Sequence, residues 1–454
     1  MLYSLLKSIV QLAIQVFYRS IVVEGKENIP RKGPLIIAAN HPNTFMDPLL
    51  IAAFVKQRVG FLANAGIFRN KYLAAFLSYM HVIPIFRKQD LRPGEVQDNT
   101  KYFSKSVEYL EKKGTFMIFP EGSSFYEFKL REIKTGTARI AFQFADKTQF
   151  KEGLKIQTVA LNYSDAIKFR SKVMITFNKP IDVTDFKDEY LKDEESGIRS
   201  LTHRIEEELA EQLVIADTPE KEELLRRIQK VYADYWIGNK RLREKNKTEM
   251  EIRIALAKAI SYFHDHLPEE YKSLEQKIDA YYTKAETVRV SQNLISNSYL
   301  NGQPRVLQLL YLCALILGLP IFLLGYFTHF VPISLSILIS KIPEDIEYRA
   351  PLLMGSATFI IPIFYFLEIW GVHYYFNQVW ITLLFALSLP LSGGFVWIYR
   401  TAFIRFKKLS SYLSLQMISP KFVDQLKQER REVLLLLEKA RKTYSQHRKQ
   451  TLNE

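Results

Sequence analysis

Thirty-five consecutive residues, Val306–Ser340, contain no Asp, Glu, Lys or Arg, and the fifty from Ala350 to Tyr399 contain one, Glu368. Apolar runs of about 18 residues or more read as membrane-spanning, because nothing in the bilayer interior solvates a charge. The 300 residues before them have the mixed composition of a water-soluble fold. The chain therefore reads as a globular region joined to a membrane region. Lys and Arg gather on cytoplasmic flanks. Arg305 precedes the first block, and Arg400, Arg405, Lys407 and Lys408 follow the second. Both flanks then face the cytoplasm, and the number of crossings is even. The second block is long enough for a hairpin turning near Tyr375–Gln378. The first would form a tight hairpin around Pro320–Pro332 or remain within one leaflet.

The formal net charge is +14 and Cys313 is the one cysteine. A disulfide framework and a cysteine zinc site are thereby excluded. His264 and His266 stand two apart and cannot share a helix face, so no metal site is expected. A basic excess suits nucleic acid, anionic membrane or phosphorylated substrates. Residues 400–454 hold 13 Lys and Arg against 5 Asp and Glu, a net of +8, so most of the excess follows the last apolar block. With no nucleic-acid motif in the chain, membrane lipids are the expected partner and nucleic acid is not.

Five regions follow. Residues 1–20 carry Ser4, Lys7, Ser8, Gln11, Gln15 and Arg19 as one polar stripe on an apolar helix, which reads as an interfacial amphipathic helix. Residues 21–216 alternate short apolar runs with helical spacing. The runs include Leu35–Ala39, Val59–Leu62, Val82–Phe86, Thr115–Phe119 and Ile156–Leu161; the helical stretches are Met46–Val55, Lys71–Tyr79, Val96–Lys112 and Lys134–Ala145. That alternation predicts a layered α/β domain with a largely parallel sheet, to which Lys172–Phe177 adds a late strand. Residues 217–302 form a charged helical region, 303–400 the transmembrane helices and 401–454 a basic helical tail.

Four constellations stand where strands end, the position at which open α/β sheets gather their sites. The first is Asn40-His41-Pro42-Asn43-Thr44-Phe45-Met46-Asp47. A histidine near its working pH can take a proton from an alcohol, and Asp47 could fix its tautomer and favour the imidazolium. The second, Ile83-Pro84-Ile85-Phe86-Arg87, brings to a strand mouth a guanidinium suited to phosphate. In the third, Phe119-Pro120-Glu121-Gly122-Ser123-Ser124, the glycine lets backbone amides approach a ligand and two hydroxyls stand beside it. The fourth, Thr158–Tyr163, is an apolar strand end that shapes the pocket.

In this order and spacing the four blocks resemble the phospholipid and glycerol acyltransferase family, over Val22 to Val183. The resemblance implies direct transfer of a fatty acyl group from an acyl-CoA or acyl carrier protein thioester to glycerol 3-phosphate or 1-acylglycerol 3-phosphate, in phospholipid biosynthesis. No cofactor is required. It makes residues 21–216 the acyltransferase domain, facing the cytoplasm. His41 is the general base and Asp47 its partner; Arg87, Glu121, Gly122, Ser123 and Ser124 bind the acceptor, with Lys134 a helper. The sequence departs from the usual pattern in four places. Five residues separate His41 from Asp47, where four are common; a branch with C-terminal membrane segments shares the longer spacing. His81 replaces the glycine opening the second block, Ser123-Ser124 supply no cation in the third, and Thr158 replaces the proline of the fourth. These leave the acceptor open. A lysophospholipid or aminolipid acyltransferase is the alternative within the family, and a non-catalytic lipid-binding membrane scaffold the alternative outside it.

Overall fold

Among the described residues, eight strands form one sheet: β1 (Ser20–Glu24), β2 (Leu35–Ala39), β3 (Val59–Asn64), β4 (Val82–Ile85), β5 (Thr115–Ile118), β6 (Lys155–Tyr163), β7 (Lys172–Phe177) and β8 (Ile181–Asp182). The computed structural model describes residues 2–64, 71, 75, 82–85, 100–237, 242–288, 292–295 and 303–451. The strand order is β1-β7-β6-β2-β5-β3-β4, with β8 pairing β6. From β6 to β4 every pair is parallel; β7 and β8 run antiparallel to β6, and β1 is parallel to β7. The sheet is thus largely parallel, as the alternation of strand and helix demands, and the late strand closes it in the opposite direction. The expected helix Lys71–Tyr79 lies almost wholly outside the described residues.

Both faces of the sheet are covered, which is why β2 and β6 read as unbroken apolar runs. Ile36 and Ala38 point to a core with Phe116, Ile140, Phe144, Leu201 and Ile205. That core is built with helices α3 (Thr100–Glu111), α4 (Gly136–Lys147) and α6 (Glu194–Gln212), counting α1 as Leu2–Phe17, α2 as Met46–Phe54 and α5 as Lys187–Lys192. Leu35, Ile37 and Ala39 point the other way, to Ile14 and Phe17 of α1 and to Met46, Leu50 and Ile51 of α2. Alternate side chains of one strand therefore anchor two layers of helices.

The polar stripe of residues 1–20 is split: Ser4, Ser8, Gln15 and Arg19 are exposed, whereas Lys7 and Gln11 turn inward. Lys7 Nζ donates to the Val55 carbonyl, and Gln11 Nε2 donates to the Ala53 carbonyl at 2.7 Å. Both satisfy carbonyls that the C-terminal end of α2 leaves without helical partners. The opposite face, Leu5, Ile9, Leu12 and Val16, is exposed.

The chain divides into two compact units. One holds Met1–Ile215 and Pro343–Met354; the other holds Ala216–Ile342 and Gly355–Glu454. The segment 343–354, which hydropathy assigns to the membrane region, is thus part of the α/β unit. The second unit is helical: α7 (Pro219–Ile237), α8 (Leu242–His266), α9 (Pro268–Thr287), α10 (Gln292–Ile295), α11 (Pro304–Ser340), α12 (Arg349–Phe376, from Gly355 onward), α13 (Val379–Ile418) and α14 (Pro420–Thr451). The basic tail helix α14 is not a free arm. Its Val423, Leu426, Val433 and Leu437 are buried, Lys284 pairs with Glu429 at 2.6 Å, and Arg430 donates to the Val231 carbonyl at 3.0 Å.

Among the described residues, three helices are long and apolar enough to cross a membrane, and they include α11, α12 and α13. The reversal at Asn377-Gln378 between α12 and α13 falls where the second block was expected to turn, and Asn377 takes a φ of 48°. The expected hairpin in the first block is corrected. Residues 304–340 form one continuous helix with Pro320 and Pro332 inside it. Proline interrupts the hydrogen-bond ladder of a membrane helix without forcing a reversal. Close packing of α11 on α13 depends on small residues. A β-carbon at Gly325 would meet the Ser392 carbonyl at 2.4 Å, and one at Gly393 would meet His329 Nε2 at 2.3 Å.

Candidate active site

Sheet register brings three of the four motifs together. Leu35 of β2 is aligned with Thr115 of β5 on one side and Lys155 of β6 on the other, so all three strands point the same way. The loop after Ala39, the loop after Ile118 and the end of β6 therefore meet at one sheet edge. Arg87, which follows β4 in sequence, and His81 lie outside the described residues.

Asn40 ties the first loop to β6. Its Nδ2 donates to the Leu161 carbonyl at 3.0 Å and its Oδ1 accepts the Leu161 N–H at 2.8 Å. His41 follows, stacked on Phe119 with ring centroids 3.8 Å apart. Its Nδ1 lies 2.9 Å from Asp47 Oδ2. The five intervening residues fold back so that the Asn43 N–H donates to the same Oδ2 at 2.7 Å, with Thr44 at a φ of 30°. Asp47 sits in the first turn of α2, where a carboxylate is favoured by the helix dipole, and is fully buried. Its other oxygen, Oδ1, accepts from Tyr163 Oη at 2.6 Å. Three donors thus hold the carboxylate, and burial together with its charge pushes the Tyr163 phenol well above its usual range, so the hydroxyl stays a donor. The His41 side chain is 11% exposed, and its Nε2 is the ring nitrogen turned away from Asp47.

Glu121 joins the third motif to the first. Its Oε1 accepts the His41 N–H at 2.8 Å and its Oε2 accepts the Arg131 N–H at 3.1 Å. Burial raises its pKa, opposed by those two hydrogen bonds. The side chain thus serves as a main-chain brace for His41. Ser124 Oγ accepts the Thr44 N–H at 2.8 Å, and the Phe125 N–H donates to the His41 carbonyl at 3.2 Å. Ser124 is a loop fastener here, and Ser123 beside it is half-buried. Gly122 has a φ of 75°, and a β-carbon there would come within 2.7 Å of Lys134 Nζ. Only glycine suits both demands. Lys134 is exposed and lies over the glycine turn, so the structure brings it to His41's loop system. A further cation was missed in the sequence: the Arg131 guanidinium stacks 3.4 Å from the Phe125 ring centroid. Tyr163 was missed as well, because its position at the end of an apolar strand reads as core. Thr158, by contrast, is structural: its hydroxyl accepts from Asn178 Nδ2 at 3.1 Å.

Among the described residues no group of three or more His, Cys, Asp or Glu converges as a metal site. A buried carboxylate holding a histidine, at the carboxyl edge of a mostly parallel sheet with cations close by, is an arrangement able to take a proton from a hydroxyl. In comparison with known proteins, residues 20–162 match the Acyltransferase family model. It is 23% identical over 265 residues to glycerol-3-phosphate O-acyltransferase 1 of Saccharomyces cerevisiae, covering 40% of this chain and 35% of that protein. It is 24% identical over 141 residues to the 1-acyl-sn-glycerol-3-phosphate acyltransferase of Borreliella burgdorferi, covering 31% of this chain and 54% of that protein. The crystal structure of the 1-acyl-sn-glycerophosphate acyltransferase of Thermotoga maritima is similar with a TM-score of 0.33 and 24% identity, covering 44% of this chain and 75% of that one. The matched stretches span 13% to 54% of the curated relatives' own lengths.

Proposed function

We propose that the chain is a membrane-bound O-acyltransferase that transfers a fatty acyl group from acyl-CoA or acyl carrier protein to a hydroxyl of glycerol 3-phosphate or 1-acylglycerol 3-phosphate. The observation that carries this reading is the His41 Nδ1–Asp47 contact of 2.9 Å, made to a fully buried, triply held carboxylate. With Nδ1 so held, Nε2 takes the acceptor's hydroxyl proton as its oxygen attacks the thioester carbonyl. The tetrahedral intermediate collapses with loss of the thiolate, which recovers the proton from His41. No acyl-enzyme forms, so neither Ser123 nor Ser124 is a nucleophile. Lys134 and Arg131 supply positive charge for a phosphate, and Arg87 is assigned the same task from its motif. The names of the yeast and Borreliella relatives favour these two acceptors.

The test offers both acceptors side by side to the purified full-length protein with labelled acyl-CoA, and repeats the assay with His41→Ala. One acceptor should be acylated, and His41→Ala should lower the rate about a thousandfold. Transfer only to lysolipids without a phosphate monoester would discard the phosphate reading. No transfer with any acceptor, including transfer from acyl carrier protein, would leave a lipid-binding scaffold.

For the membrane, we read α12 and α13 as a hairpin that crosses twice and returns the basic tail to the cytoplasm, where the catalytic domain also faces. The Arg400, Arg405, Lys407 and Lys408 cluster that follows the second apolar block supports this. The exposed Leu5, Ile9, Leu12 and Val16 give α1 an apolar face toward the interface. A single cysteine placed in the tail should resist a membrane-impermeant reagent in intact cells; labelling from outside would overturn the even count.

A further inference from the structure

The connector between α11 and α12 carries no motif and reads as a polar link, KIPEDIEYRA. In the structure it belongs, from Pro343 onward, to the α/β unit. Ala350 and Met354 enter the same core as Met46 and Leu50 at the start of α2. Just before them, Glu347 makes two hydrogen bonds to two different loops of the site. Its main-chain carbonyl accepts from Thr44 Oγ1 at 3.0 Å, and its side-chain Oε1 accepts the Tyr126 N–H at 3.0 Å. Tyr348 adds an edge-on contact to Phe45, with ring centroids 5.9 Å apart.

These contacts fall on the residues that the His41–Asp47 geometry depends on. Thr44 and Phe45 lie in the five-residue excursion between the two catalytic groups, and Thr44 holds a positive φ unusual for a β-branched residue. Backbone strain of that kind persists only where neighbouring contacts over-determine it. The Ser124 hydroxyl fixes the Thr44 N–H, and Glu347 fixes its side chain. Tyr126 follows Phe125, whose N–H donates to the His41 carbonyl. One residue of the connector therefore braces the loops on both sides of the histidine.

We propose that Glu347 is a positioning residue for acyl transfer, clamping the His41–Asp47 loop to the loop of the third motif and thereby tying the geometry of the site to the segment that links two apolar helices. The role in turnover rests on the acyltransferase reading; the clamp itself does not. Glu347 touches neither His41 nor Asp47, so its effect passes through the loops.

The experiment combines kinetics and amide hydrogen exchange on the full-length protein. In Glu347→Ala, which removes the side-chain acceptor and keeps the main-chain carbonyl, exchange should quicken at Tyr126; in Thr44→Val it should quicken at the amides of residues 43–46. The kcat of Glu347→Ala should fall about tenfold, with the KM for donor and acceptor unchanged, because one half-buried hydrogen bond is lost and binding groups are untouched. Glu347→Gln keeps the Oε1 acceptor and should restore most of the rate. Thr44→Val removes only the hydroxyl donor and should lower kcat about threefold. Unchanged exchange in Glu347→Ala would overturn the clamp. A normal kcat with quickened exchange would overturn the positioning role, as would a rate in Glu347→Gln as low as in Glu347→Ala. If wild type and His41→Ala are equally inactive, the acyltransferase reading fails separately, and exchange alone decides the clamp.

Discussion

Ile37 in β2 and Leu317 in α11 are side chains of the same size and apolarity with opposite surroundings. Ile37 is 0% exposed inside a sheet covered on both faces, whereas Leu317 is 79% exposed, beside Ile316 at 63%. The α/β unit buries the apolar residues of its sheet against its own helices. The apolar helices pack on one another through glycine and serine and leave their large side chains outward. Small residues inside and large ones outside is the arrangement of helices whose outer partner is lipid. The contrast teaches that hydropathy alone does not assign a segment to either region, since the polar connector 343–354 belongs to the first although apolar helices flank it on both sides.

The same truncation at the two positions is the sharpest way to break this contrast. Ile37→Ala leaves a cavity in a core that cannot relax around it and should destabilise the α/β unit by about 2–5 kcal/mol. Leu317→Ala removes atoms that touch no protein core and should change stability by less than about 0.5 kcal/mol. Thermal unfolding of the two detergent-solubilised variants measures both. Comparable losses would mean that a protein surface, not lipid, covers the outer face of α11.

Much of this division can be read from residue order. Parallel strands covered on both faces produce continuous apolar runs, and LIIAA and TVALNY are such runs. The catalytic pair is legible for a related reason, since a histidine and an aspartate directly after a buried strand must lie at the sheet edge. Three features were not legible. The polar stripe of α1 suggests a face turned to water or headgroups, but Lys7 and Gln11 turn inward because the end of α2 presents unsatisfied carbonyls. Pro320 and Pro332 suggest a reversal, yet the helix runs through both. The role of Glu347 rests partly on its main-chain carbonyl, which has no residue-type signature. Arg87 remains a sequence assignment, outside the described residues.

Tyr163 sharpens the comparison from within the catalytic unit, because it is a core residue by burial and a site residue by its hydroxyl. Its ring belongs to the same core as Ile37, but its Oη donates to Asp47 at 2.6 Å. Tyr163→Phe keeps the volume and removes the donor, so stability should change little compared with Ile37→Ala. The carboxylate keeps two donors, from His41 and Asn43. Losing the third leaves the carboxylate less firmly held and weakens its support of the imidazolium formed during turnover. A hydrogen bond to a charged group contributes about 1.5–3 kcal/mol, so kcat should fall at least about tenfold while remaining well above His41→Ala. A normal kcat would return Tyr163 to the core, as its place in an apolar strand first suggested. A lowered kcat at unchanged stability would make the hydroxyl the third support of the His41–Asp47 pair, set on the strand adjacent to the one that delivers His41.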